Sequence, residues 1–301
     1  MSHFGVICYH RILPHVSSDL GTVEAYHSRR GMLHTSKDFR DQLDVLQQEC
    51  TMVDAGAFST SLAGHAHNKP AVLLTFDDGY EDFATVVLPE LTKRNLPCVL
   101  FPTKAPVVGK HVPPRDQVYA ILANDYRGRR RVSEQDRERW VSGDLKVSML
   151  ESSPAMQAAM IDELAAHVGV AEPIVGPVHM TEKQVAELPS SVYIGAHGLY
   201  HHEFGSLAPA DLKAELDEIL GWVRKLRPSQ SQGAWLAYPN GKADRYPRPE
   251  AVTSAVQAAG VNHAFRACRE FRPWAGDPLA IPRVFSRDGI DYLRLIWNKY
   301  S

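Results

Sequence analysis

Residues 71–80 read Ala71-Val72-Leu73-Leu74-Thr75-Phe76-Asp77-Asp78-Gly79-Tyr80. An unbroken apolar run that stops at two carboxylates predicts a strand buried on both faces, as in a parallel sheet; a half-exposed strand would alternate apolar and polar residues. Two carboxylates at the end of such a strand are electrostatically costly, and both ionise comfortably only beside a cation. Neighbouring strand residues point to opposite faces, but a turn at Gly79 brings both into one cleft. For an isolated Asp-Asp-Gly the plainer reading is a helix N-cap for the segment from Glu81. The apolar run before it and the histidines described below favour a reactive site.

The same grammar recurs along the chain. Phe4–Tyr9 ends at His10, Cys98–Phe101 at Pro102-Thr103, and Val192–Ala196 at His197. Trp235–Tyr238 ends at Pro239-Asn240-Gly241, and Leu279–Pro282 reaches Arg283. Helical periodicity lies between these runs. Phe39, Leu43 and Leu46 follow a Thr35-Ser36 capping signal, and Phe83, Val86, Val87 and Leu91 repeat the spacing. Leu212 to Leu226 is the clearest helix, closed by Pro228; another runs from Pro249 to Gly260. Strands alternating with helices, with polar residues gathered at strand ends, predict an α/β fold, either a barrel or a doubly wound sheet.

Residues 104–180 break the rhythm. They hold Pro106, Pro113 and Pro114, an arginine cluster (Arg127, Arg129, Arg130, Arg131), and predicted helices near 115–125 and 154–168. This stretch reads as a mainly helical insertion within a single domain of 1–301. The arginine cluster reads as a solvated face, with phosphate binding the lesser reading. Thr181-Glu182-Lys183-Gln184 has the form of a capping box and restarts the regular pattern.

Of 301 residues, 44% are apolar and 23% charged, enough for a sizeable core. Lys and Arg number 33 and Asp and Glu 35, a net charge of −2 that argues against a nucleic-acid or anionic-membrane partner. Cys8, Cys50, Cys98 and Cys268 form no CxxC pair and read as reduced core thiols. No stretch approaches the roughly 20 apolar residues of a membrane span, and Met1–His10 lacks a basic leader region, so a cytoplasmic protein is expected. Nucleophile-elbow, phosphate-loop and dinucleotide-binding patterns are absent.

The second reactive stretch is Gly195-Ala196-His197-Gly198-Leu199-Tyr200-His201-His202. Two imidazoles four residues apart suit one divalent metal, with His202 a rival to His201. Two histidines and one aspartate leave coordination positions open, which suits catalysis better than a structural role.

Thr75–Tyr80 resembles the first motif of the polysaccharide deacetylases (the NodB-homology group, carbohydrate esterase family four), and His197–His201 resembles their second. The similarity also takes in Cys8-Tyr9-His10-Arg11, Ala237–Gly241, Ala259-Gly260 with Ala264-Phe265, and Ile281-Pro282-Arg283; only 104–180 lacks a clear counterpart. The resemblance implies a distorted (β/α)7-type barrel. It implies that Asp78, His197 and His201 hold one divalent metal ion, usually zinc, and that Asp77 is the general base. It places the substrate or oxyanion contacts at Tyr238 and Asn240, with the oxyanion-binding N–H at Asn240, after Tyr238-Pro239. Relatives that open with a Tyr-His strand imply His10 as general acid, a role that suits an imidazole.

Three departures stand out. Gly198 replaces a Ser or Thr that steadies the metal loop. Ala237 stands where many members carry an arginine that orients the base, a task Arg283 is expected to assume by pairing with Asp77. No late Leu-His-Asp motif is evident, which is why the acid role falls to His10. The expected activity is metal-dependent removal of an N-acetyl group from an amino sugar, an intracellular saccharide intermediate. The alternatives are a deformylase or amidohydrolase acting on a non-glycan or lipid-linked amide, and a non-catalytic carbohydrate-binding protein. Tyr80, Trp235 and Trp274 are read chiefly as core or rim, with sugar stacking the lesser reading.

Overall fold

The computed structural model describes residues 4–62, 69–109, 111–170, 177–230, 233–241, 249–268, 274 and 276–285. Strands are β1 (Phe4–Tyr9), β2 (Arg11–Leu13), β3 (Leu33–Thr35), β4 (Thr51–Met52), β5 (Ala71–Asp78), β6 (Cys98–Pro102), β7 (Val192–Ile194), β8 (Ala234–Ala237), β9 (Val261–Cys268) and β10 (Ile281–Phe285). Helices are α1 (Val23–Arg29), α2 (Ser36–Glu49), α3 (Ala55–Leu62), α4 (Leu88–Arg94), α5 (Lys104–Val107), α6 (Pro114–Arg127), α7 (Glu134–Val141), α8 (Asp144–Glu151), α9 (Pro154–Val168), α10 (Glu182–Ala186), α11 (Pro209–Leu226) and α12 (Pro249–Ala258).

Seven parallel strands run in the order β7-β6-β5-β1-β10-β9-β8, with short β4 added beside β5. Ala196 closes the ring: its N–H donates to Trp235 O, and its own carbonyl accepts from Ala237 N–H, each at 2.9 Å. The result is the expected α/β barrel of seven strands. All eight residues of β5 are buried, as an apolar run sandwiched between a barrel interior and a helix layer requires.

Local signals explain the surrounding helices. Thr35 caps α2 in a reciprocal box with Asp38, and Phe39, Leu43 and Leu46 turn inward. Thr181 and Gln184 do the same for α10. The segment from Phe83 departs from expectation: Phe83–Val87 is a π-helical turn, and a regular helix begins only at Leu88. Pro89 has no N–H to donate to the preceding turn, so a seamless α-helix cannot pass through it.

The insertion is more structured than its sequence suggests, with α5, α7 and α8 beside the two expected helices. It has its own apolar core of Val118, Tyr119, Leu122, Ile161 and Leu164, shared with Ala25 and Tyr26 of α1. Arg127, Arg129, Arg130 and Arg131 are exposed, which fits a solvated face. Both ends of the insertion are tied to the turn after β5. Thr103 N–H donates to Asp78 O at 3.2 Å, Met180 N–H to Gly79 O at 2.9 Å, and Glu81 N–H to Val178 O at 3.0 Å. Among the described residues no helix is long and apolar enough to cross a membrane.

Candidate active site

β5 lies between β1 and β6, and Asp77 and Asp78 are its last two residues. Gly79 has a positive φ of 81°, and a Cβ there would come within 2.9 Å of Pro102 Cβ, so only glycine fits the turn. Asp78 and His201 also have positive φ values, 71° and 64°. Non-glycine residues held in the left-handed region are strained, and they persist where surrounding contacts over-determine them.

Asp78, His197 and His201 converge. Asp78 Oδ1 lies 3.1 Å from His201 Nε2 and 3.5 Å from His197 Nε2. Despite these distances Oδ1 is a buried oxygen without a hydrogen-bond partner among the described residues. Donors around a tetrahedral zinc at about 2.0–2.1 Å sit roughly 3.3 Å from one another, so the spacing fits a shared cation. The tautomer fits too. His197 Nδ1 contacts Ala237 O at 2.9 Å; a carbonyl only accepts, so Nδ1 carries the proton and the Nε2 lone pair faces Asp78. Burial lowers the pKa of His197, with Asp77 opposing, which favours the neutral ligating form. His202 lies outside this trio, so the rivalry for the second ligand falls to His201.

Asp77 is engaged differently. Arg283 grips it with both nitrogens, Nη1 to Oδ1 at 2.6 Å and Nη2 to Oδ2 at 2.7 Å. The pairing anticipated for Arg283 is therefore made. Burial alone would raise the Asp77 pKa, but Arg283, with His197 and His10, brings it down to about 2. His10 Nε2 is 4.0 Å from Asp77 Oδ2. Burial depresses the His10 pKa to about 4 against the pull of the two aspartates, so its ring is neutral at pH 7. Cys8 Sγ donates to Asp77 Oδ2 at 3.3 Å. Its placement in an apolar run pointed to the core, and it is buried, yet it also touches Asp77.

The second motif is steadied without a hydroxyl at 198. Glu215 of α11 accepts from Leu199 N–H at 2.8 Å, and Lys104 and Ala105 donate to Gly198 O and Leu199 O. A Cβ at Gly198, whose φ is +84°, would approach Pro239 Cγ at 3.1 Å and Glu215 Oε1 at 3.2 Å. Glycine thus leaves room for the carboxylate that does the hydroxyl's work. Burial raises the Glu215 pKa to about 7.

The third motif divides. Tyr238 serves the fold: its ring is buried, its hydroxyl donates to Leu279 O at 3.1 Å, and its N–H donates to Phe265 O at 3.0 Å. Both its donors are thus committed within the fold, which leaves the expected oxyanion contact to Asn240. Asn240 adopts a left-handed conformation (φ 58°) in the turn beyond it. Tyr80 and Trp235 are buried rather than placed to stack on a sugar, and Trp274 donates its indole N–H to Asp277 O.

The residue absent from the sequence reading is Arg115, in the first turn of α6. Its Nη2 donates to Asp78 Oδ2 at 3.1 Å and lies 3.4 Å from the Tyr80 hydroxyl. The two carboxylates thus have two buried guanidiniums, one each, and only Asp78 Oδ1 stays unpartnered. Arg115-Asp116 at the head of an apolar helix, behind Pro113-Pro114, was the available signal: charges there need buried partners, but their identity depends on packing.

The comparisons bear on this geometry. The polysaccharide deacetylase family model matches residues 64–144, which include Asp77, Asp78 and Arg115. It thus runs into the insertion, beyond where the sequence resemblance was legible. A search of curated protein sequences finds no match. Among solved structures, the Streptococcus pyogenes deacetylase PplD in complex with acetate is similar with a TM-score of 0.59 at 15% identity, over 94% of this chain and 91% of that one. IcaB from Ammonifex degensii is similar at 0.59 and 17% identity, over 98% of both chains. A de-N-acetylase from Aggregatibacter actinomycetemcomitans is similar at 0.60 and 14% identity, over 97% and 98%. At such identities the structural likeness carries the fold. The family match over 64–144 and the barrel accord with the amide C–N hydrolase that the motifs implied. The two motifs implied the polysaccharide deacetylases, and the model that matches residues 64–144 is of that family.

Proposed function

We propose that this chain removes the acetyl group from an N-acetylated amino sugar, using one divalent ion, zinc by the family's habit, held by Asp78, His197 and His201. The observation that carries the reading is Asp78 Oδ1: buried, unpartnered, and 3.1 and 3.5 Å from two imidazole nitrogens. When bound there, a divalent ion acts as a Lewis acid and makes water nucleophilic near neutral pH.

The chain's own groups then handle protons and charge. Asp77 is the base, and Oδ2 is its working oxygen because that atom faces His10 and His197. Arg283 keeps the carboxylate ionised and aimed. His10 Nε2 lies beside Asp77 Oδ2, and burial lowers its pKa, so its protonated ring gives up a proton readily. The proton taken from water passes from Asp77 to His10 and then to the leaving amine nitrogen, so one imidazole closes the cycle. The backbone N–H at Asn240 supports the oxyanion of the tetrahedral intermediate. Acetate, the ligand in the PplD structure, is the product this reaction releases.

The test combines elemental analysis of purified protein with assays of acetate and formate release from N-acylated sugars. About one equivalent of metal and acetate release support the reading. Formate release alone points to a deformylase, and metal-loaded protein that releases neither overturns the proposal.

A further inference from the structure

The insertion reaches into the site through one side chain. Arg115 is buried, and its Nη2 holds Asp78 Oδ2 while Oδ1 faces the two histidines. Behind it runs a buried chain of contacts. Tyr80 hydroxyl donates to Asp116 Oδ2 at 2.9 Å, and His27 Nε2 lies 2.8 Å from Asp116 Oδ1. Arg11 Nη1 lies 3.3 Å from His27 Nδ1. A guanidinium only donates, so His27 Nδ1 accepts and its Nε2 carries the proton towards Asp116. Arg11 in turn pairs with Asp82 at 3.2 Å. Each member has a partner on either side, which fixes the position of Arg115 from behind.

We propose that Arg115 is a positioning residue of the hydrolytic site: by holding Asp78 Oδ2 it limits that aspartate to a single ligating oxygen. The inference rests on the reading of Asp78 as a metal ligand. Its physical basis is a count of positions. A catalytic zinc keeps three protein ligands and leaves room for water and substrate. A carboxylate free to rotate can offer both oxygens and fill one of those places. A guanidinium fixed on one oxygen prevents this, as groups behind metal ligands commonly do. The insertion is then part of the catalytic unit rather than only a cover over it.

The decisive experiment is a crystal structure of the zinc-loaded wild-type protein. One Asp78 oxygen on zinc, with Arg115 still on the other, is the expected result. Two Asp78 oxygens on zinc with Arg115 displaced overturn this inference but leave the metal reading intact. No zinc at Asp78, His197 and His201 overturns both. Arg115→Met supplies a second readout in cobalt-substituted protein. Its visible absorption bands should weaken as the ion gains a ligand, and kcat should fall about 10–100-fold with KM unchanged. Arg115→Lys keeps a cation and should lie between the two. A folded Arg115→Met protein with the wild-type cobalt spectrum and kcat overturns the proposal.

Discussion

Asp77 and Asp78 are adjacent in the chain and differ in what holds them. The barrel side supplies Arg283 from β10, 206 residues from Asp77, and its two nitrogens take both carboxylate oxygens. The insertion side supplies Arg115, 37 residues from Asp78, and takes one oxygen only. A carboxylate gripped at both oxygens is held ionised and aimed, as a base must be. A carboxylate gripped at one oxygen has a lone pair left for a cation. One Asp-Asp step thus holds its two carboxylates differently because two separate parts of the chain reach it, and the proposed roles of base and ligand rest on that difference.

Substitutions can break that division, and the largest effect is expected at the ligand. Asp78→Ala should purify with little metal and no measurable turnover, and elemental analysis checks it. Asp77→Asn should keep its metal yet lose about 10³-fold or more in kcat, at the upper end of the range for removing a general base. Metal loss in Asp77→Asn would erase the distinction between the two carboxylates. Next comes Arg283→Met, which leaves Asp77 buried without its counter-charge. Stability measured in denaturant should drop by about 3–5 kcal/mol, the usual cost of breaking a buried pair from one side. His10→Ala should retain metal and slow turnover by about 10²-fold, as loss of proton delivery to the amine predicts. Wild-type rates in that variant would remove His10 from the mechanism.

The smallest effect is at Glu215, which supports the histidine loop. Its folded pKa of about 7 stands above the ordinary 4.5. The protonated form is favoured by folding, so its stabilisation is complete below pH 4.5 and is lost as pH rises through 7. In metal-free protein, Glu215→Gln should therefore gain stability relative to wild type between pH 5 and 8, by about 1–3 kcal/mol at the upper end. Equal pH dependence in the two proteins would show that Glu215 stays ionised.

The barrel strands were legible because their signal is local. Runs such as Ala71–Phe76 and Cys98–Phe101 are apolar throughout, and the residues that end them are those at the barrel mouth. The His197–His201 spacing was equally local, since a short loop carries both imidazoles. The insertion was only partly legible. Its helices α7 and α8 carry much charge, and their apolar faces meet a small core shared with α1 rather than the barrel. Cys8 read as core because an apolar run gives no hint that one side chain reaches the neighbouring strand's carboxylate. Tyr238 matched the third motif by position, yet its hydroxyl and N–H were already committed to Leu279 and Phe265.

From the sequence alone came the α/β class, the aspartate pair and the two histidines, because strand burial and short-range spacing are written in consecutive residues; closure into a barrel was implied only by the family resemblance. The Arg283–Asp77 pairing was expected, but the tertiary structure alone decided that Arg115 reaches Asp78. That contact depends on where α6 comes to rest, and long-range packing leaves no periodic mark in the chain.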